Sequence, residues 1–218
     1  MKPTIVEVTS RKQLKQFIHW QNELYKGDPY YCPALESDEF ATLSPLKNAA
    51  FEFCKAKYWL AYGPDGKIVG RIAGIVNPKA NKNWGKNQVR FGWVDFINDP
   101  DVARALVDKV AEWGREQGLT EMVGPLGFAD MDKEGLLVEG FDRLSPFTTI
   151  YNYDYYPRHL EAMGFEKEAD WLHIRINIPE EVPAKYARVA QYCREQIGLR
   201  VVKKTAHELI EGGFGHKV

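Results

Sequence analysis

The sequence is poor in cysteine. Only Cys32, Cys54 and Cys193 occur in 218 residues, widely spaced and with no Cys-x-x-Cys pair, which argues against a disulfide framework or a zinc knuckle and fits a reducing cytoplasm. There is no run of about 18 apolar residues of the kind that crosses a bilayer. Met1-Lys2-Pro3-Thr4 opens on a mixed segment without the apolar core of a secretion signal. An excess of one charge is also missing: 29 Lys and Arg stand against 30 Asp and Glu, so no global field draws the chain onto nucleic acid or an anionic membrane. Asp130-x-Asp132-x-Glu134-Gly135 begins like a calcium loop, but its twelfth position is Phe141 instead of a bidentate glutamate, and no metal is expected.

What is present is the composition of a packed globular protein, with 44% hydrophobic, 13% aromatic and 27% charged residues. Thr4 to Val8 reads as a short strand, and Ser10 caps a helix with Leu14, Phe17, Ile18, Leu24 and Tyr25 at helical spacing. Residues 28–57 carry no clear period. Tyr58 to Tyr62 and Lys67 to Val76, joined by Gly63-Pro64-Asp65-Gly66, read as a β-hairpin. A polar loop from Asn77 to Gln88 leads into a strand over Val89 to Ile97. Asn98 or Asp99 then caps a helix with Pro100 at its first position, Val102, Ala103, Leu106, Val107, Val110 and Trp113 on its apolar stripe, and Gly118 as its stop. Leu119 to Leu126 is expected as the next strand, Tyr155 to Met163 as a short helix stopped by Gly164, and Trp171 to Ile178 as a final alternating strand.

Strand, helix, strand at this spacing implies a parallel crossover, whereas the hairpin is antiparallel, so the expected fold is α/β with one mixed, twisted sheet flanked by helices. Ligands of such sheets favour the carboxyl ends of the parallel strands, here Phe96 to Pro100 and Gly124 to Phe128. The long connection over residues 127–149 reads as a functional loop or lid.

The order hairpin, strand, capped helix, strand, short helix ending in Gly-Phe, strand resembles the GNAT superfamily of acyl-CoA-dependent acyltransferases. The residues that carry the likeness are the hairpin Leu60-Ala61-Tyr62…Asp65-Gly66-Lys67-Ile68-Val69-Gly70-Arg71-Ile72 and the stretch Tyr156…Leu160-Glu161-Ala162-Met163-Gly164-Phe165. Gly124-Pro125-Leu126-Gly127-Phe128, Gly135 to Phe141 and Tyr151-Asn152-Tyr153 are similar to a bacterial branch without a well-defined substrate. The resemblance implies acetyl-CoA or another acyl-CoA as co-substrate, a small-molecule amine or hydroxyl as acceptor, and a pantetheine arm lying between two splayed parallel strands. It places Phe96, Ile97, Asn98, Asp101 and Val102 at the cofactor, with helix-start amides receiving the pyrophosphate. Asn98-Asp99-Pro100-Asp101 stands where the family has Gln/Arg-x-x-Gly-x-Gly/Ala, and Leu160 stands where a proton-donating tyrosine is common. Both departures favour the alternative, a non-catalytic GNAT-like domain for ligand sensing or interaction.

Three residues are candidates for catalysis. Asp95 lies in Phe91-Gly92-Trp93-Val94-Asp95-Phe96-Ile97, and strand alternation puts it on one face with Phe91 and Trp93, where an aromatic setting disfavours the charged carboxylate and suits a general base. The plain alternative is a carboxylate bonded to a loop backbone. Tyr153 and Tyr156 belong to a run of phenols that offers a substitute proton donor, and Asn152 in the same run offers a hydrogen bond to the cofactor. That run reads equally as a packed aromatic corner. The first domain is expected over residues 1–178. Residues 179–218 are expected to hold a linker helix and the start, near Leu199, of a second copy of the fold that is cut off.

Overall fold

The computed structural model describes residues 2–212, which divide into two compact units, one up to Lys167 and one from Glu168. The first unit is built on a five-stranded sheet in the order β1-β2-β3-β4-β5. Strands β1 (Thr4–Glu7), β2 (Lys55–Tyr62), β3 (Ile68–Val76) and β4 (Gln88–Phe96) run antiparallel, and β5 (Glu121–Val123) lies parallel to β4. Helix α1 (Arg11–Leu24) starts on a capping box in which Ser10 and Gln13 satisfy each other's backbone amides. Helix α2 (Glu36–Leu43) and a 3-10 turn (Ala49–Glu52) follow.

Two cores lie on the two faces of the sheet. On one face Phe17, Ile18 and Leu43 pack on Tyr58, Leu60, Ala73 and Ile75. On the other, α4 (Pro100–Glu116) sets Val102, Leu106, Val110 and Trp113 against Trp59, Ile72, Val89 and Phe91. Each large side chain buried there stabilises the fold by roughly 1.5–3 kcal/mol. Helix α5 (Tyr155–Ala162) adds Tyr155, Tyr156 and Leu160 to this second core. This is the mixed, helix-flanked sheet expected from the sequence.

Several expectations need correction. The polar loop between β3 and β4 contains a helix, α3 (Pro78–Trp84), with Asn77 capping the Ala80 amide, Pro78 in the first turn and Gly85 left-handed at φ 61°. The strand expected over Leu119 to Leu126 shortens to Glu121–Val123. Trp171 to Ile178 is not a strand: among the described residues its own unit holds no strand to bond it, and Trp171, Ile174, Ile176 and Ile178 are all exposed. The described residues of the second unit form α6 (Ala184–Glu195) and α7 (Ala206–Glu211), the latter opened by a capping box between Thr205 and Glu208.

Candidate functional site

Strand β4 does not alternate regularly. Its register with β3 pairs Gly92 with Ala73 but Asp95 with Arg71, so Trp93 and Val94 together oppose one residue, and Trp93 takes φ 43°. Such a bulge reverses the facing of everything after it. Phe91 therefore packs with α4 while Trp93 joins the opposite core, and Asp95 turns to Arg71 instead of sharing a face with Phe91. A positive φ at a residue with a bulky side chain is strained and is held only by its surroundings. Here Trp93 Nε1 donates to Glu39 of α2 at 2.5 Å.

Beside the bulge lies a narrow crevice with a free volume of only about 20 Å³, room for about one water, lined by Gln21, Glu39, Arg71, Trp93, Val94, Asp95, Lys133, Leu136, Ile150, Tyr151 and Asn152. Its floor is a buried network. Arg71 Nε donates to Asp95 Oδ2 at 2.7 Å, and Arg71 Nη1 donates to the Phe17 carbonyl at 2.9 Å. Tyr25 donates its phenol proton to Asp95 Oδ1 at 2.9 Å and lies 2.8 Å from the Tyr156 hydroxyl. Burial first, then the charge of Asp95, pushes both phenols well above the ordinary tyrosine pKa. Phenols held this way stay protonated at neutral pH and act there as hydrogen-bond donors. Asp95 is thus a partnered carboxylate in an ion pair, not the isolated base expected from its aromatic neighbours.

The carboxyl end of β4 is equally occupied. Pairing with β5 ends at Arg90 opposite Val123, with one further bond from the Leu126 amide to the Phe91 carbonyl. Past that point no further β4–β5 backbone bond is formed among the described residues. The Phe96 amide donates to the Tyr156 hydroxyl at 3.0 Å, and the Phe96 carbonyl accepts from Tyr155 at 2.7 Å. Ile97 turns its amide to the Val69 carbonyl. Asn98 Oδ1 lies 2.9 Å from His159 Nε2. At the start of α4 the Asp99 carboxylate accepts from the amides of Asp101 and Val102, so the donors a pyrophosphate would use meet an anion of the chain itself.

The structure therefore brings Asp95, Tyr156 and Phe96 together and sets Asn98, Asp101 and Val102 around the head of α4. Tyr153 is elsewhere, with its hydroxyl 3.4 Å from the Leu24 carbonyl and its ring on Tyr25 and Tyr155. Asn152 lines the crevice, yet its amide is spent on the backbone: Oδ1 accepts from the Leu137 amide and Nδ2 donates to the carbonyls of Leu137 and Tyr153. It ties the long connection to the body of the domain. Sequence reasoning missed Arg71 and Tyr25. The signal for Arg71 was present, a lone charge in the apolar strand Ile68–Val76, matched by the single acidic residue of β4, Asp95.

No family model matches the chain. Protein YghO of Escherichia coli (strain K12) is 32% identical over 163 residues, 75% of this chain and 41% of that protein. The bacterial ceramide synthase of Caulobacter vibrioides is 27% identical over 185 residues, 83% of this chain and 47% of that protein. The chain thus spans less than half the length of these curated relatives. Among solved structures, a putative acetyl transferase from Pyrococcus furiosus superposes with a TM-score of 0.48 at 12% identity, covering 80% of this chain and all of that one. The chain's own strand order, its parallel β4 and β5 and the helices on both faces decide the architecture. The fold is GNAT-like. The Arg71–Asp95 crevice lies next to the bulge in β4. Among the described residues no helix is long and apolar enough to cross a membrane, and no group of three or more His, Cys, Asp or Glu side chains is placed to hold a metal.

Proposed function

We propose that the chain is the GNAT-like portion of an acyltransferase that moves an acyl group from an acyl-CoA to an amine or hydroxyl of a small acceptor. The observation that carries this reading is the end of β4–β5 backbone bonding after Phe91, beside a bulged Trp93 and a polar crevice. In the reaction the acceptor nitrogen or oxygen bonds to the acyl carbon, the carbon–sulfur bond breaks, and the proton lost by the acceptor replaces the one needed by the CoA thiolate. Asp95 serves as the electrostatic partner of that proton, through Tyr25 and Tyr156. For a pantetheine to lie against β4, the hydroxyls of Tyr155 and Tyr156 have to leave Phe96. The likeness to a ceramide synthase makes a long-chain amino alcohol one acceptor class to test.

The capped head of α4 favours a second reading, a GNAT-like domain that binds a ligand without turnover. Calorimetric titration with acetyl-CoA and palmitoyl-CoA, followed by an assay of free CoA thiol with sphinganine and simple amines, separates the two. The first reading expects saturable acyl-CoA binding and acceptor-dependent thiol release that falls at least about tenfold in Asp95→Asn. Absence of acyl-CoA binding at millimolar concentration leaves the second reading standing.

A further inference from the structure

Charge that balances over the whole chain is not evenly spread along it. Between Ala184 and Lys204 stand Lys185, Arg188, Arg194, Arg200, Lys203 and Lys204 against the single carboxylate of Glu195. Among the described residues no ion pair involves Lys185, Arg188, Arg194, Arg200 or Lys203, and Glu195 accepts from Gln191 at 2.9 Å. The same stretch carries apolar side chains that the chain leaves uncovered: Tyr186, Val189 and Tyr192 are 65%, 52% and 59% exposed, and Ile197, Leu199, Val201 and Val202 each show more than half of their surface. On α6 the two sets are segregated. Tyr186, Val189 and Cys193 follow the i, i+3, i+7 spacing of one helical face with Tyr192 at its edge, Lys185 and Arg188 fall beside that edge, and Arg194 flanks the other side.

An apolar stripe bordered by cations is the arrangement with which a helix lies in the headgroup layer of a bilayer, its apolar side chains at the acyl boundary and its long basic side chains on lipid phosphates. We propose that the second unit binds the surface of an anionic phospholipid bilayer through Tyr186, Val189, Tyr192 and the basic side chains of residues 184–204. The contact is peripheral, since α6 has 12 residues and a spanning helix needs about 20. Charge selects the occupant. A second copy of this chain meeting the same face about a two-fold axis would set these cations against their own kind. A nucleic acid offers phosphates but no hydrocarbon to Val189, Ile197 and Val201, whereas an anionic lipid surface offers both. The proposal concerns the second unit alone, goes beyond the transfer proposed above and does not rest on it.

The probes are vesicles of phosphatidylcholine alone or mixed with phosphatidylglycerol, floated with the 218-residue chain and no acyl-CoA. The expected result is retention on the mixed vesicles at least about tenfold stronger than on phosphatidylcholine, weakening as salt is raised. Arg188→Gln together with Arg194→Gln should cut retention at least about fivefold. Tyr186→Ser together with Tyr192→Ser should cut it at unchanged charge. All four side chains are exposed, so circular dichroism should find the fold kept. Should the serine pair loosen α6, Tyr186→Trp together with Tyr192→Trp should strengthen retention instead, because indole favours the headgroup boundary. Equal retention on the two vesicle types, or retention indifferent to both tyrosine pairs, overturns the proposal. So does duplex DNA binding without vesicle binding, or a dimer in sedimentation that the serine pair dissolves, which would give this face to a second copy. Acyl-CoA binding and thiol release are read separately, so their failure leaves this proposal standing and its failure leaves the transfer reading standing.

Discussion

Arg71 and Asp95 stand opposite each other on β3 and β4, and their side chains meet at 2.7 Å while exposing only 1% and 3% of their surface. A buried pair of this kind gains little over an apolar pair, but losing one partner strands a charge in the core. Arg71→Met and Asp95→Leu should each lower the unfolding free energy by about 3–5 kcal/mol. The double variant should lose much less than the sum of the two, because neither charge is then left alone. Urea denaturation of the four proteins checks this; additive losses would mean that the pair does not act as a unit.

How the head of α4 is capped bears directly on the donor site. Asp99 satisfies the amides of Asp101 and Val102 with a negative charge. Asp99→Asn keeps an equally good cap, so the melting temperature should hardly change. With the carboxylate gone, the positive end of the helix faces an incoming pyrophosphate, and acetyl-CoA affinity should rise roughly twofold to fivefold at low salt. Calorimetry on the two proteins decides it. An unchanged affinity would place the phosphates away from this helix.

The helix that carries this cap was legible in the sequence because every signal for it is local: Asp99, Pro100, a 3.6-residue apolar stripe and Gly118. Helix α3 had the same signals, Asn77, Pro78 and Gly85, but it is short and no side chain of it is buried, so no apolar period announces it. The facing of Asp95 was not legible, since strand alternation predicts one side and the bulge at Trp93 supplies the other. That bulge is fixed by contacts distant in sequence, including the bond from Trp93 to Glu39. The network around Asp95 likewise draws on α1, β3 and α5, whose approach depends on the assembled sheet. Trp171 to Ile178 shows the converse case, a clear period of two with no strand to bond among the described residues of its own unit.

Buried phenols make the fold sensitive to alkali. Burial raises the pKa of Tyr25, Tyr58 and Tyr156 above the usual value and pushes Tyr31 up to about 12. In the unfolded chain all four ionise near pH 10. Between that value and their folded pKa values the native state holds more protons than the unfolded state, so stability is complete below about pH 10 and falls as pH rises further. Denaturation midpoints measured from about pH 8 to about pH 12 should be flat and then drop, with phenolate absorbance appearing together with loss of structure. Smooth ionisation of all tyrosines near pH 10 in a protein that stays folded would contradict the burial of these rings.

The approach of the 124–126 segment to β4 depends on two glycines. A Cβ on Gly92 would sit 2.5 Å from the Leu126 carbonyl oxygen, and a Cβ on Gly124 would collide with the Phe91 carbonyl oxygen. Both obstacles are backbone atoms, which cannot rotate aside as a side-chain tip can. Gly92→Ala or Gly124→Ala must therefore push the two segments apart or break the bond from the Leu126 amide to Phe91, the last backbone tie between them among the described residues. Either substitution should cost about 1–3 kcal/mol and lower the melting temperature by several degrees. Because that tie sets where the gap between the strands begins, acyl-CoA affinity should change along with stability in these variants, whereas Leu106→Ala, where α4 packs on Gly70 of β3, costing about 2–5 kcal/mol, should alter stability and leave the affinity of the folded protein as it was. Melting curves and titrations on the three variants check both halves, and affinity changes that follow stability alone would detach the gap from ligand binding.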